Sequence, residues 1–285
     1  MTAFRVIQIS DTHLSGDRAY FTANFAALPA ILAAEAPDLL INTGDVTLDG
    51  ADRDSDLAYA RVLHDRLAVP WLAIPGNHDL GDNPAAQPSP QPVNPARLAR
   101  WERHFGPDRF YRRIGPWSLI GINAQLFGSG LAAEDAQWDW LDAVIEHAGG
   151  GPIALFVHKP LFVHHAEDDS LDILSVPPAS RARLGTALAH GDVHLIASGH
   201  LHAHAIRRHG RVAHVWGPSS AFFVGNSVHD VPAVRRLGYV RHDFTEAGVT
   251  STVIESDAFE PIDADALKAR LGITALRDAP VLVAS

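Results

Sequence analysis

The 285-residue chain contains no cysteine, which excludes disulfides, zinc-thiolate sites and thiol catalysis and leaves the compartment open. Positive charge is scarce: 23 lysines and arginines against 33 aspartates and glutamates give a formal charge of -10. A nucleic-acid surface depends on clustered Lys and Arg, so no nucleic-acid polymer is expected as a partner, and any phosphate must be met by something local. No stretch approaches the roughly 18 uninterrupted apolar residues that a membrane span requires. No basic segment, apolar segment and small-residue cleavage site open the chain; it runs directly into the strand-like residues 4–10, and a cytoplasmic protein is the simplest reading.

Against these absences stand 17 histidines, and histidine is the commonest metal ligand. Apolar residues at 47% and charged residues at 20% describe an ordinary globule, and the length fits one large core. The expected organisation is a single domain over residues 1–258, with a proline-rich insertion at 81–96. Residues 259–285 form a tail that packs on the body or on a second subunit, which leaves a homodimer open.

Apolar runs at 4–9, 38–42 and 71–74 alternate with helical patterns at 22–34 and 55–67, so the chain opens with crossover units and parallel pairing. Phe25, Leu28 and Leu32 mark one face of the first helix, which Pro29 must kink or begin. Ser55 reads as the N-cap of the second, with Tyr59, Val62, Leu63 and Leu67 as its apolar stripe. Residues 84–95 hold five prolines and form a loop that is equally a lid or a surface insertion. Residues 97–105, 134–147 and 178–190 read as helices, the second with Trp138, Leu141, Val144 and Ile145 facing the core. Strands follow at 117–123, 153–157 and 193–197. Further strand-like runs at 205–208, 212–216, 239–244 and 249–254 make the second half of the sheet system largely antiparallel. A short polar helix and an apolar run at 280–284 complete the tail.

The chemistry lies where apolar strands stop. Asp11, His13, Asp45, Asn77, His158, His200 and His202 all follow such strands, which gathers two carboxylates, one amide and four imidazoles at one sheet edge. Oxygen and imidazole ligands together suit Mn, Fe, Zn or Ni better than Ca, and seven ligands are too many for one ion unless a second shares them. A carboxylate can bridge two ions about 3.5 to 4 Å apart, and water trapped between them becomes hydroxide near neutral pH, its pKa falling from roughly 16 towards 7. Such a pair offsets the ligand carboxylates and lets an acidic protein bind phosphate.

The blocks Asp11-Thr12-His13, Gly44-Asp45, Gly76-Asn77-His78-Asp79, a lone His158 and Gly199-His200-Leu201-His202 follow in order the pattern D-x-H, G-D, G-N-H-[DE], H, G-H-x-H. The chain thereby resembles the calcineurin-like metallophosphoesterases over residues 4–255. The resemblance implies an α/β fold, a four-layer αββα sandwich of two mixed β-sheets flanked by helices. It implies two divalent or trivalent metal ions, Mn, Fe or Zn, and no organic cofactor. One would be held by Asp11, His13, Asp45 and His202, the other by Asp45, Asn77, His158 and His200. His78 would contact a phosphate oxygen and act as general acid.

Within that family, protein phosphatases continue as G-D-x-x-D-R-G, where the second Asp orients the histidine and the Arg holds phosphate. Here Leu48 and Asp49 stand at those places, which disfavours a phosphoprotein substrate and leaves Asp49 and Asp79 as alternatives for orienting His78. The surrounding sequence looks most like the bacterial branch of class III cyclic-nucleotide phosphodiesterases. The resulting expectation is a phosphodiesterase acting on a small phosphodiester, a cyclic nucleotide or glycerophosphodiester, by attack of a hydroxide shared by the metals. A phosphomonoesterase or pyrophosphate-cleaving hydrolase is the alternative, and a non-enzymatic scaffold is disfavoured because every ligand is present. His164, His165, Arg112, Arg113 and Asn123 are open to substrate contact or to plain surface and turn roles. His194, His204, His209 and His214 read as ordinary strand residues.

Overall fold

The computed structural model describes residues 3–84, 89–225 and 231–282. In chain order its strands are β1 (Phe4–Ile9), β2 (Leu39–Asn42), β3 (Trp71–Ala73), β4 (Phe110–Ile114), β5 (Trp117–Ile122), β6 (Pro152–Val157), β7 (Asp192–Ser198), β8 (Ala205–His209), β9 (Val212–Trp216), β10 (Gly238–Thr245) and β11 (Gly248–Glu255). The helices are α1 (Thr22–Ala26), α2 (Leu28–Glu35), α3 (Asp54–Asp65), α4 (Asn77–Leu80), α5 (Pro95–Phe105), α6 (Ala132–Ala148), α7 (Pro178–Leu188) and α8 (Ala264–Leu271). Two sheets form, one in the order β11-β10-β1-β2-β3 and one in the order β4-β5-β6-β7-β9-β8.

The continuous apolar runs become strands because both of their faces are covered. Along β1, Ile7 and Ile9 point to one core and Val6 to another, as a period of two requires. Along β6, Ala154 and Phe156 face the space between the sheets, while Ile153, Leu155 and Val157 pack under α6 and α7. Helices α2, α3 and α5 cover the outer face of the first sheet. The layers are therefore helix, sheet, sheet, helix, as expected. Near the carboxyl ends of the strands, buried Gln8 of β1 donates to the carbonyl of Ser198 in β7 at 3.0 Å and to Thr43 Oγ1 at 3.0 Å. This polar pin fixes one sheet against the other where the strands deliver their loops. Among the described residues no helix is long and apolar enough to cross a membrane.

Several expectations are corrected. The 22–34 helix is two helices broken at Ala27; of the two roles expected of Pro29 it takes the second, in the first turn of α2, where its missing N–H costs nothing. Helix α3 begins at Asp54 after an extended Arg53, so Ser55 is not its N-cap; Asp54 and Asp56 place negative charge at the positive end of the helix dipole. Its buried face runs through Leu57, Ala60 and His64, and Val62 is 48% exposed. Arg112 and Arg113 lie on edge strand β4, not on a loop, in a hairpin that turns at Gly115-Pro116. That dipeptide was the available signal for the strand. Strands β8, β10 and β11 do pair antiparallel, but β9 joins β7 in parallel, and β5-β6-β7 are parallel throughout. The described part of the tail packs on its own body: Ala264, Leu267 and Leu276 join Phe21, Leu48 and Phe222 in one cluster. The proline-rich insertion and the apolar end lie partly outside the described residues, at 85–88 and 283–285.

Two core histidines make stability pH-dependent. Burial pushes His64 down to about 4 and His242 down to about 3. Both stay neutral in the fold, while the unfolded chain takes up protons below about pH 6.5. Their contribution is present above that pH and is lost as pH falls toward the folded values, by up to about 1.4 kcal/mol per pH unit for each residue. Urea midpoints measured at pH 7.5, 6 and 5 should therefore fall less steeply in His242→Gln than in the parent chain. Equal slopes would remove His242 from the acid response.

Candidate metal centre

All five blocks sit on loops that leave the carboxyl ends of strands: β1 delivers Asp11 and His13, β2 Asp45, β3 Asn77 and His78, β6 His158, and β7 His200 and His202. The local backbone is unusual. Asp11, His13, Asp45, His200 and His202 have φ of 54, 43, 49, 69 and 49°, the left-handed region that L-residues with side chains seldom occupy. Such strain persists only where surrounding contacts over-determine it. Here the loops hold one another: the N–H of Asp11 donates to the carbonyl of Gly44 at 2.9 Å, that of His13 to Asp45 at 3.0 Å, and that of Gly199 to His158 at 3.0 Å. Two glycines permit the approach. A Cβ on Gly76 would strike the Asp45 carboxylate, and one on Gly199 would strike Ser10 Oγ.

The side chains converge in two groups that share one carboxylate. Ligand atoms of Asp11, His13, Asp45 and His202 all lie within 4.8 Å of one another, and so do those of Asp45, His158 and His200. Asp45 divides its oxygens: Oδ2 is 3.8 Å from His13 Nε2, and Oδ1 is 3.4 Å from His158 Nε2. Asn77 Oδ1 is 3.3 Å from His158 Nε2 and joins the second group. All seven expected ligands are thus brought together.

The ring orientations test whether cations fit. His158 Nδ1–H donates to the Thr43 carbonyl, His200 Nε2–H to the Ile173 carbonyl and His202 Nδ1–H to the Phe222 carbonyl, each at 2.8 Å. These bonds turn the other ring nitrogens inward as lone pairs. His158 Nε2 then faces His200 Nδ1 at 3.2 Å, and His202 Nε2 faces His13 Nε2 at 3.2 Å. The two anchored rings, His158 and His200, thus face each other with lone pairs, which repel unless a cation or proton lies between them. Asp11 Oδ1 and His13 Nδ1 are buried with no hydrogen-bond partner. Nitrogen and oxygen donors without thiolate suit Mn, Fe or Zn, and distal ring N–H groups on carbonyls are the usual support of metal-binding histidines. The residues present fit a metal site.

The electrostatics carry the same tension. Burial alone would raise Asp45, but the imidazoles of His158, His78 and His13 overcome it and hold its carboxyl well below the usual carboxylate range. Burial opposes a charged His158, yet Asp45 beside it pushes the ring up to about 9. His13 is driven well below its ordinary value by burial and His78, and His200 by burial and His158. Without metal, a proton on His158 partly fills the role of a cation.

His78 lies at the rim. Its N–H donates to Asp45 Oδ1 at 2.8 Å, and its Nδ1–H donates to the Leu48 carbonyl at 2.8 Å, which leaves Nε2 to the outside. Neither Asp49 nor Asp79 orients the ring. Asp79 instead latches two loops: its carboxylate accepts from the N–H groups of Val46, Thr47 and Gly76 and from the Thr47 hydroxyl, at 2.6 to 3.0 Å. Asp49 accepts from Gln91 Nε2 at 2.8 Å. A cavity of about 390 Å³ opens over Asp45, Asn77, His78, His200 and His202, walled by Ile173, Leu174 and Phe222 and, from the proline-rich loop, by Ser89 and Pro90.

Other sequence expectations fall away from this cavity. His164 and His165 are exposed and border a separate recess with Arg207 and His209. Asn123 is buried, bonded to Asp108 Oδ2 at 2.8 Å, and caps a turn. His194 and His204 pair with Asp192 and Glu255. Sequence reasoning missed Lys159, fully buried beside His158 and bonded to Asn83 Oδ1 at 2.6 Å. It also missed the tail residues Lys268, Leu276 and Arg277, which form one cavity wall. Adjacency to His158 was the available signal for the lysine; nothing local marked the tail.

Residues 4–204 match the family of calcineurin-like phosphoesterases. The chain is 26% identical over 149 residues to a human serine/threonine-protein phosphatase, CPPED1, a match covering 48% of this chain and 43% of that protein. It thus spans less than half of that relative's length. It is 25% identical over 227 residues to a probable cyclic nucleotide phosphodiesterase of Synechococcus sp., covering 76% of this chain and 80% of the relative. A dimetal phosphatase from Danio rerio superposes with a TM-score of 0.58 at 14% identity, over 88% of this chain and 98% of that one. At that identity the likeness concerns the fold.

Metal-free protein at pH 7.5 should take up two equivalents of manganese or zinc and release protons as it does so, because a ring that ligates must first lose its proton. Asp45→Asn should loosen both equivalents together. Retention of two full equivalents by that variant, measured by elemental analysis after dialysis, would refute the shared-ligand role.

Proposed function

The chain belongs to the calcineurin-like phosphoesterases and is a hydrolase of phosphoesters; from that premise we propose that it cleaves a small phosphodiester, using two metal ions held by Asp11, His13, Asp45, Asn77, His158, His200 and His202. The observation that carries this reading is the pair of histidine-carboxylate groups sharing Asp45 beneath a cavity with His78 on its rim. Bound there, such ions supply Lewis acidity, lowering the pKa of water and neutralising charge on phosphoryl oxygens. The chain's own residues do the rest. Asp45 gives one oxygen to each group, and backbone carbonyls hold three rings against rotation. His78, its Nδ1–H committed to the Leu48 carbonyl, presents Nε2 to the cavity and in its protonated form gives a proton to the departing alkoxide oxygen.

A diester is favoured over a monoester by the apolar wall of Ile173, Leu174 and Phe222, which offers burial to a second ester group. The relative named as a cyclic nucleotide phosphodiesterase also matches 76% of this chain, against 48% for the one named as a protein phosphatase. The human relative's name favours a monoester as the second reading, and the absence of the Asp and Arg that protein phosphatases carry, here Leu48 and Asp49, weighs against it. The cavity volume of about 390 Å³ suits a nucleotide-sized or glycerol-sized substrate, not a polymer.

Two measurements decide. Manganese-loaded enzyme should hydrolyse bis(p-nitrophenyl) phosphate faster than p-nitrophenyl phosphate; a ratio well below one would make it a monoesterase. His78→Ala should lower turnover of the diester by roughly two to four decades, the size of a general-acid contribution, with metal content unchanged. Undiminished turnover in that variant would remove His78 from the mechanism.

A further inference from the structure

We propose that the C-terminal segment builds a second anion-binding subsite beside the metal centre, with Lys268 and Arg277 as its charged groups. The preferred substrate is then a phosphodiester whose retained side carries a second oxyanion, a phosphate or a carboxylate. This inference rests on the phosphodiesterase reading above and narrows its substrate class.

The protein as a whole is acidic, at -10, yet the wall that faces the metal cluster is cationic. Lys268 and Arg277 line the same cavity as Asp45, Asn77, His78, His200 and His202. A cation lining a concave cavity adds its field to whatever enters. The two residues also differ usefully. Arg277 offers a planar fork suited to a bidentate grip on phosphate or carboxylate, and Lys268 a compact charge.

The wall is built, not loosely draped. Leu267 and Leu276 are buried with Phe222, whose ring stacks on His202 with centroids 4.3 Å apart, so the tail and the metal ligands share one packed unit. Arg18, 1% exposed, is held by Asp56 at 3.1 Å and donates to the backbone carbonyl of Arg277, fixing that residue from below. The Arg277 guanidinium donates to Gln91 Oε1, and Gln91 Nε2 donates in turn to Asp49 and Asp52, each at 2.8 Å. An amide oxygen orients the guanidinium without neutralising it. Lys268 pairs with Asp265 at 2.8 Å within its own helix, which engages one of the three ammonium donors. Arg18 and Gln91 thus tie Arg277 to Asp56 and to Asp49 of the Asp45 loop, and so place it against the cavity.

The test uses manganese-loaded enzyme and p-nitrophenyl phosphodiesters that share the leaving group and differ in the retained alkyl: methyl, 2-carboxyethyl, 2-(phosphonooxy)ethyl and choline. The anionic esters should exceed the methyl ester in kcat/KM by about tenfold or more, as a charge-assisted contact allows, with the choline ester no better than methyl. The carboxylate and phosphate arms show which oxyanion the subsite takes. In the double variant K268Q/R277Q the anionic-to-methyl ratio should fall to about one, whatever the absolute rate. K268Q alone, whose ion pair is confined to its own helix, should lower the ratio in the same direction. Equal rates for anionic and methyl esters in the parent enzyme, or a ratio retained in the double variant, would overturn the subsite. If no diester is cleaved, the phosphodiesterase reading fails, and calorimetry judges the subsite separately. Pyrophosphate binding more tightly than orthophosphate in the parent, with the difference lost in K268Q/R277Q, supports it; a difference unchanged by the variant overturns it.

Discussion

The structure depends on one shared carboxylate. Asp45 sends each oxygen toward a different group of imidazoles; the first group is buried throughout, and in the second only His200 is partly exposed. A charge so placed is costly unless several partners meet it at once. The left-handed backbone at five ligand positions, the glycine at 76 with no room for a Cβ, and the Asp79 latch between the β2 and β3 loops all hold that carboxylate at its partners. The polar pin from Gln8 to Ser198 keeps the two sheets in register at the same end. A displacement of either sheet would separate the groups that Asp45 joins.

Orientation of the rings is delegated to the main chain. The carbonyls of Thr43, Ile173, Phe222 and Leu48 receive the outer N–H groups of His158, His200, His202 and His78. Two of these acceptors belong to residues whose side chains also wall the cavity, Ile173 and Phe222. The cavity wall and ring orientation are therefore coupled through single residues. A substitution on the apolar wall would be felt at the ligands beneath it.

On the proposed reading, an acidic protein that binds a phosphoester must concentrate positive charge locally. The histidine groups would offer one such place once cations lie among them, and the proposed tail subsite another. The tail is part of the body in a physical sense, since its apolar residues complete a cluster that includes Leu48 of the Asp45 loop and Phe222.

The candidate ligands were legible from sequence because each follows an apolar strand end by one to four residues, and Asp45, Asn77 and His200 also stand beside a glycine, so a short stretch carries both the turn and the donor. The β-strands at 4–9 and 212–216 were legible from their predominantly apolar, β-branched and aromatic character. Edge strand β4 was not, because pairing on one side leaves Arg112 and Arg113 free of any apolar pattern. The orienting group of His78 could not be read at all: it is a backbone carbonyl, which every residue type carries, and it is brought close by a loop 30 positions away in the chain. The same holds for the tail, whose Arg277 reaches the cavity through contacts with Arg18 and Gln91, 259 and 186 positions distant. By itself the sequence determined which atoms are available to bind metal and in what local turns. Only the tertiary structure decided which of them face one another, which carbonyls aim the rings and which distant charges close the cavity, because those relations join segments remote in the chain and rest largely on main-chain atoms that leave no mark in the order of side chains.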